Sequence, residues 1–279
     1  MKSKKYFSIA ALILGLISIS LLLYPTVSNA VYQICAGEAA VKYSRSISTL
    51  SKAEKEKILS LAQRYNENLV GLPNDSTTFE YEDILNFNDG QICTIEIPKI
   101  DVNLPVYHES NEALKKGAVH AKNSSFPIGG ENTNCVIEAH TGYPGKVLFD
   151  NLDELEKGDK IYIHILDETL VYKVSKKDIV KPDETDIKIE SGDKLSLVTC
   201  YPYGINSHRL IVTCVRDKAA ESTGDETFGG NTGCTISNYF PIFVIVLVFA
   251  TVVTAALIYI FKARSKKRAF LLRGDESET

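Results

Sequence analysis

The sequence lacks several patterns that would point to particular classes of protein. Its net charge of −4 comes from acidic and basic residues that are interspersed, and no basic cluster in its middle predicts a nucleic-acid surface. The six cysteines form no C-x-x-C pair and no cysteine–histidine cluster, which argues against a zinc site. No internal repeat is present. With 44% hydrophobic and 24% charged residues, the composition excludes a wholly disordered chain.

Charge is also missing from two long segments, residues 6–31 and 239–261. Each could cross a hydrocarbon core of roughly 30 Å as a helix. Lysines in residues 1–5 precede the first segment, and the basic tail 262–279 follows the second, so both ends are expected on the cytoplasmic side. The sequence therefore predicts a protein of the plasma membrane whose central part faces the extracellular space.

The first apolar segment has a second interpretation. Ser28, Asn29 and Ala30 provide small residues where a signal peptidase could cleave, after Ala30, although the apolar run is longer than a usual signal-peptide core. With or without cleavage, the middle of the chain lies outside the membrane. In that oxidising compartment Cys135 and Cys214 could pair, but sequence alone does not decide connectivity.

Between the two apolar segments the pattern of residue types changes twice. Residues 32–89 predict a helical extension, with a helical stretch over 36–70 that contains a capping box at Ser51 and Glu54, followed by a surface loop that could act as a lid. Residues 90–217 predict an all-β barrel or sandwich, and 218–238 a flexible linker rich in Gly, Ser and Thr. The predicted strands are 91–97, 135–140, 160–166, 170–176, 194–200 and 209–216.

Two of these strands carry the first candidates for chemistry. Cys200 ends one strand and Arg209 begins the next, with an eight-residue connection between them. If the strands pair as an antiparallel hairpin, the guanidinium lies beside the thiol, where a cation favours the nucleophilic thiolate and can bind an oxyanion. Taken singly, a cysteine at a strand end is more often a small core residue, and an arginine beside a loop is more often a surface charge.

A histidine supplies a third candidate. His140 ends the strand that starts at Cys135 and precedes the loop Thr141-Gly-Tyr-Pro-Gly145. An imidazole at a strand end can act as acid toward a leaving amine and as base toward an incoming nucleophile. Of the other histidines, His164 is expected to be an exposed strand residue, and His108 lies on a loop with no obvious partner.

The segment Ser196-Leu-Val-Thr-Cys200, with an arginine nine residues after the cysteine, resembles the signature of the sortases. The similarity extends from about 91 to 216 and is greatest to class C, the pilin-polymerising sortases. The motifs that carry it are Ile95-Glu-Ile-Pro-Lys-Ile100, Leu104-Pro-Val-Tyr-His108, Gly117-Ala-Val-His120, Ser124-Ser-Phe-Pro-Ile-Gly-Gly130 and Tyr203-Gly-Ile-Asn-Ser-His-Arg-Leu210.

The resemblance implies a mainly β fold: an eight-stranded sortase-type barrel with short helices, here joined to the helical extension and two transmembrane helices. It makes Cys200 the nucleophile, His140 the general acid/base and Arg209 the cation that supports substrate and oxyanion. Thr199 matches the residue before the nucleophile and becomes a candidate substrate-binding residue. His120 and His208 also match family positions, and structural roles are expected for both.

The implied activity is transpeptidation without a metal or other cofactor. The expected partners are secreted surface proteins or pilins with a Leu-Pro-x-Thr-Gly-like sorting signal, and an amine acceptor that is a pilin lysine or a cell-wall precursor. A housekeeping-type sortase that anchors proteins to the cell wall remains an alternative, as does a non-catalytic, membrane-tethered β-barrel binding protein. One departure from class C is that residues 71–88 contain no Asp-Pro-aromatic lid motif.

Overall fold

The structure of the chain is a computed structural model that describes residues 2–71, 80–185, 187, 189, 191–222 and 253. The predicted second apolar span, the basic tail and Cys234 therefore lie outside the described residues, apart from Val253. The central residues of the possible lid, 72–79, lie outside them as well.

Two helices precede the barrel, α1 over Lys2–Ser48 and α2 over Lys52–Leu69. The predicted capping box is confirmed: the Ser51 hydroxyl accepts from the Glu54 backbone N–H, and the Glu54 carboxylate accepts from the Ser51 backbone N–H at 2.8 Å. The cap starts a new helix, so the predicted helical stretch 36–70 is divided at residues 49–51. In the part of the chain that is described, no helix has the length and apolar character needed to cross a membrane. The predicted span 6–31 lies within α1, and the predicted span 239–261 lies outside the described residues apart from Val253.

The predicted β region is a closed eight-stranded barrel, with the order β1-β2-β3-β4-β7-β8-β6-β5 around it. The strands are β1 Gln91–Ile97, β2 Val102–His108, β3 Ala118–His120, β4 Thr133–Glu138, β5 Lys160–Ile165, β6 Glu168–Val180, β7 Asp193–Tyr201 and β8 His208–Arg216. The pairs β2–β3 and β4–β7 are parallel, and the other pairs are antiparallel. A short helix α3, Asn111–Leu114, joins β2 to β3.

Side chains alternate between the inside and the outside of this barrel. On β7, for example, Leu195 and Leu197 are fully buried in the main core, whereas Val198 belongs to a separate outer cluster with Val136 of β4 and Ile211 of β8. The outer face of the three adjacent strands β4, β7 and β8 therefore has an apolar centre of its own. That face carries the site described below.

The start of the predicted linker differs from the prediction. Residues Lys218–Ser222 form a short helix, α4, and Glu221 attaches it to the barrel. The Glu221 carboxylate accepts from the Val171 backbone N–H at 2.7 Å and from the Arg216 guanidinium. A flexible tether from residue 218 was predicted from composition, but this ion pair orders its first residues.

Candidate active site

The predicted hairpin between Cys200 and Arg209 is present. Strands β7 and β8 are antiparallel neighbours, and Cys200 lies directly opposite Arg209 in their register. Both side chains are half-buried. Directly opposed residues of an antiparallel pair have Cβ atoms about 4.5–5.5 Å apart, so the guanidinium can reach the thiol.

His140 comes to the same edge through a different pairing. Strands β4 and β7 run parallel, and their last register pair joins Glu138 to Val198. His140 follows Glu138 by two residues, as Cys200 follows Val198, so the imidazole and the thiol emerge side by side from neighbouring strands. The alternation that places Val136 and Val198 on the outer face places His140 and Cys200 there too.

Arg209 is oriented by the loop that precedes it. Its Nη1 donates to the carbonyl oxygens of His208 at 3.0 Å and of Asn206 at 3.4 Å. Within the described part of the chain, no residue accepts from its Nε or Nη2. A guanidinium fixed at one nitrogen, with other N–H groups available, is suited to binding a carbonyl oxygen or an oxyanion.

Thr199 lies on the opposite face from Cys200. It is only 4% exposed, and its hydroxyl donates to the Ala139 carbonyl at 2.7 Å and contacts the Thr141 hydroxyl at 2.6 Å. These contacts connect β7 to both residues that flank His140. The structure therefore places the Thr199 side chain behind the face that carries Cys200, and contact of this side chain with substrate stays a prediction.

His140 stacks on an aromatic ring from its own loop. The Tyr143 ring lies 5.2 Å from the imidazole, centroid to centroid, with 27° between the planes. Partial burial, reinforced by the positive charge of Lys146, lowers the pKa of His140. The neutral imidazole is favoured as a result, and this form can accept a proton.

The structure adds a carboxylate that the sequence analysis missed. Glu138 lies on the outer face of β4, two residues before His140, and is half-buried. Burial and the nearby Glu109 raise the pKa of Glu138, and Arg209 opposes that rise. The sequence signal for it was the two-residue alternation, which puts Glu138 on the face of His140 once the direction of His140 is known.

The other cysteines are unlike Cys200. All five described cysteines are free, so the Cys135–Cys214 disulfide considered from the sequence does not form. Cys93, Cys135 and Cys214 are buried inside the barrel, and burial raises the pKa of each thiol. Cys35 is exposed on α1. Among the described cysteines of the barrel, Cys200 alone is partly accessible.

The remaining histidines have structural partners. His120 is fully buried, with Nε2 2.9 Å from the Ser125 carbonyl and Nδ1 3.0 Å from the Tyr81 hydroxyl. His108, expected to lie on a loop without a partner, instead ends β2 and contacts the carbonyl oxygens of Ile84 and Gly90. His164, expected to be exposed, is half-buried, and its Nε2 lies 2.9 Å from Glu96. His208 is half-buried at the start of β8, with Nδ1 2.9 Å from the Ser207 hydroxyl.

Comparison with known proteins identifies the barrel. Residues 95–217 match the family model of the sortase domain. Sortase D of Bacillus subtilis is 31% identical over 177 residues, which cover 61% of this chain and 86% of that protein. Sortase A of Bacillus anthracis is 32% identical over 123 residues, 43% of this chain and 57% of that protein.

Solved structures of sortase C are similar to this chain. The Clostridium perfringens sortase C, solved with the C-terminal cell wall sorting motif, is 38% identical, with a TM-score of 0.58 over 65% of this chain and 98% of that one. The pilus-related sortase C of Group B Streptococcus is also 38% identical, with a TM-score of 0.58 over 64% of this chain and 96% of that one.

Proposed function

This chain belongs to the sortase family of cysteine transpeptidases, and we propose that it cleaves a Leu-Pro-x-Thr-Gly-like sorting signal through a Cys200 thioester and transfers the acyl group to an amine. The observation that carries the proposal is the cross-strand pairing of Cys200 with Arg209, on the face where His140 emerges. Family membership leaves the non-catalytic β-barrel binding protein without support.

In the first half-reaction, the Cys200 thiolate attacks the carbonyl carbon of the signal's threonine, and a C–S bond forms. Arg209 donates hydrogen bonds to the oxyanion of the tetrahedral intermediate. When the intermediate collapses, the C–N bond breaks and the protonated His140 gives its proton to the departing glycine amine. The acyl group is then held as a thioester on Cys200.

In the second half-reaction, the acceptor amine attacks the thioester carbonyl and gives its proton to the neutral His140. A C–N bond forms, the C–S bond breaks, and the thiolate returns. The lowered pKa of His140 supports this step, because the imidazole must be neutral to accept the proton. No electron acceptor or donor is consumed.

The apolar cluster beside Cys200, His140 and Arg209 supports an extended peptide as substrate. Val136, Val198 and Ile211 form its centre, one alternation step from Cys200 and Arg209 on the same face. The partly buried side chains packed around them are those of Ala121, Val180 and Ile187. The exposed parts of these three surrounding side chains suit the leucine and proline of the signal, while the threonine carbonyl lies at the thiol.

We propose a pilin lysine as the acceptor, with a cell-wall precursor as the alternative. The pilus-related relative supports the first choice. Glu138 supports an acceptor that arrives as an ammonium, because its carboxylate lies on the same face as the thioester. The ammonium loses one proton to solvent before the neutral amine attacks, and His140 takes the second. For location we propose the extracellular face of the plasma membrane, supported by the uncharged segments 6–31 and 239–261 and their basic flanks.

The test uses the full-length protein, a Leu-Pro-x-Thr-Gly peptide and a lysine-containing acceptor peptide. Mass spectrometry should detect a thioester on the wild-type protein and an amide-linked product. Cys200→Ala should abolish both, whereas Cys35→Ser, which removes an exposed thiol from α1, should retain both. Cleavage at the wild-type rate by Cys200→Ala would overturn the proposal.

A further inference from the structure

The loop after His140 is held from two sides. Within the loop, the Asp150 carboxylate accepts from the backbone N–H groups of Gly142 at 3.0 Å and of Leu148 at 2.8 Å. From outside, helix α1 reaches the loop through Asn29, whose Oδ1 accepts from the Val147 backbone N–H at 2.9 Å. The catalytic histidine is therefore followed by a loop that the N-terminal helix contacts directly.

Lys146 lies at the centre of this contact. Its Nζ is 5.2 Å from the centroid of the Tyr143 ring and 5.0 Å from the centroid of the Tyr32 ring on α1. The ammonium also donates to the Lys115 carbonyl oxygen. A cation that contacts two aromatic rings gains from both, and more so where it is partly removed from water.

The same Tyr143 ring stacks on His140, so four side chains form a continuous series from α1 to the imidazole: Tyr32, Lys146, Tyr143 and His140. Tyr32 is 8% exposed and belongs to the main hydrophobic core, which makes it a fixed support. The side chain of Lys146 is long enough to place its ammonium against both rings, whereas a shorter side chain at this position would leave a gap between them.

We propose that Lys146 is a positioning residue for His140: its ammonium, held between Tyr32 and Tyr143, ties the stacking partner of the imidazole to helix α1. The inference rests on the proposed function, because it takes the acid/base role of His140 from there. It extends the catalytic machinery beyond the barrel, since an intact α1 becomes necessary for a correctly oriented imidazole.

The charge of Lys146 has a second effect. Burial lowers the pKa of His140 first, and the Lys146 charge lowers it further, so removal of that charge should raise it. The other titratable or charged groups near His140 are Glu138 on β4, Tyr143 in the loop, Cys200 on β7 and Arg209 on β8, with Tyr32 and Cys35 on α1 beside Lys146.

The experiment compares four variants of the full-length protein. Lys146→Met removes the charge and keeps an unbranched apolar stem, and Lys146→Arg keeps the charge as its matched control. Tyr32→Leu removes the supporting ring, and Tyr32→Phe keeps it. Two readouts are measured: the pH profile of kcat/KM for peptide transfer, and the NMR titration of histidine-labelled protein, with the His140 signal assigned by its loss in His140→Gln.

In Lys146→Met we expect the His140 titration and the corresponding limb of the profile to move to higher pH, with kcat/KM about tenfold lower at neutral pH. Lys146→Arg should restore both. Tyr32→Leu should lower kcat/KM and broaden or shift the His140 signal, and Tyr32→Phe should not. Should Lys146→Met fold poorly by circular dichroism, Lys146→Gln provides the same charge removal with a polar end.

An unchanged His140 titration in Lys146→Met, or identical behaviour of Lys146→Met and Lys146→Arg, would overturn the inference. The NMR titration does not depend on peptide transfer. If the wild type forms no thioester yet the titration shifts as expected, the proposed function fails and the positioning role stands. If transfer depends on Cys200 yet the titration of His140 does not move, the proposed function stands and the positioning role of Lys146 fails.

Discussion

Cys200 of β7 and Arg209 of β8 are direct cross-strand partners, and their side chains share the outer face of the barrel. The strands continue for one more pair, Tyr201 with His208, before the loop that connects them. The backbone of Arg209 is therefore held by the sheet, and its guanidinium is oriented by the carbonyl oxygens of Asn206 and His208. Such a fixed donor reorganises little when negative charge develops beside it, which is the condition for effective stabilisation of an oxyanion.

Replacement of this arginine should lower the rate of acyl transfer. We expect Arg209→Ala to reduce kcat/KM about 10²- to 10³-fold, as loss of an oxyanion-binding donor does. Arg209→Lys should be intermediate, since it keeps the charge but not the planar set of donors. Steady-state kinetics with a quenched sorting-signal peptide would measure this, and Arg45→Ala, on the exposed side of α1, is the control. A rate for Arg209→Ala within twofold of the wild type would contradict the assignment.

Alkylation should distinguish Cys200 from the buried thiols. In a Cys35→Ser, Cys234→Ser background of the folded protein, iodoacetamide should modify Cys200 well before Cys93, Cys135 or Cys214, because those three are buried and burial raises the pKa of each. Peptide mapping by mass spectrometry at increasing times gives the order. Equal rates at all four positions in the folded protein would argue against a reactive Cys200.

Glu138 should matter for a cationic acceptor more than for a neutral one. Glu138→Gln keeps the shape of the side chain and removes its charge, so we expect KM for a lysine acceptor to rise about two- to fivefold, the size of a partly exposed charge interaction. The rate with hydroxylamine, which is uncharged at neutral pH, is the internal control. An equal change for both nucleophiles would mean that Glu138 does not select the ammonium.

Thr199 should stabilise the region around His140. Thr199→Val removes the hydroxyl that bonds to Ala139 and contacts Thr141, and we expect a loss of about 1–3 kcal/mol in the free energy of unfolding. Denaturant titration of Thr199→Val, Thr141→Val and the double variant should give non-additive losses, because the two hydroxyls share one hydrogen bond. Strict additivity would show that the contact contributes nothing.

Acid should destabilise the fold through His120. Burial lowers the pKa of His120 to about 4, whereas the unfolded residue titrates near 6.5. Between those values the unfolded chain binds more protons than the folded one, so stability falls as the pH drops through this window. The lowered pKa of His140 acts in the same direction.

The His120 contribution is on the order of 3 kcal/mol across the whole window. It should appear as a lower midpoint of urea unfolding at pH 5 than at pH 7. In His120→Gln the difference between the two midpoints should shrink, even if the variant is less stable at both. An undiminished pH dependence in His120→Gln would assign the effect to other groups.

Local patterns in the sequence were enough to predict much of the site. The two strands that hold Cys200 and Arg209 are adjacent along the chain, so alternation and one short connection were enough to predict their pairing. The capping box of α2 was equally local. The eight-stranded count, by contrast, came from the resemblance: β2 contains Pro105 and β3 has only three residues, so neither displays a clear strand pattern.

The sequence by itself determined which residues could do the chemistry, because residue type and near-neighbour spacing are written into it. Only the tertiary structure decided which of them share a face. His140 comes to the same face as Cys200 through the parallel pairing of β4 with β7, sixty positions apart in the chain, and Tyr32 comes to Lys146 through the packing of α1 on the barrel. Such long-range contacts depend on the burial and register of whole elements, which no local pattern specifies.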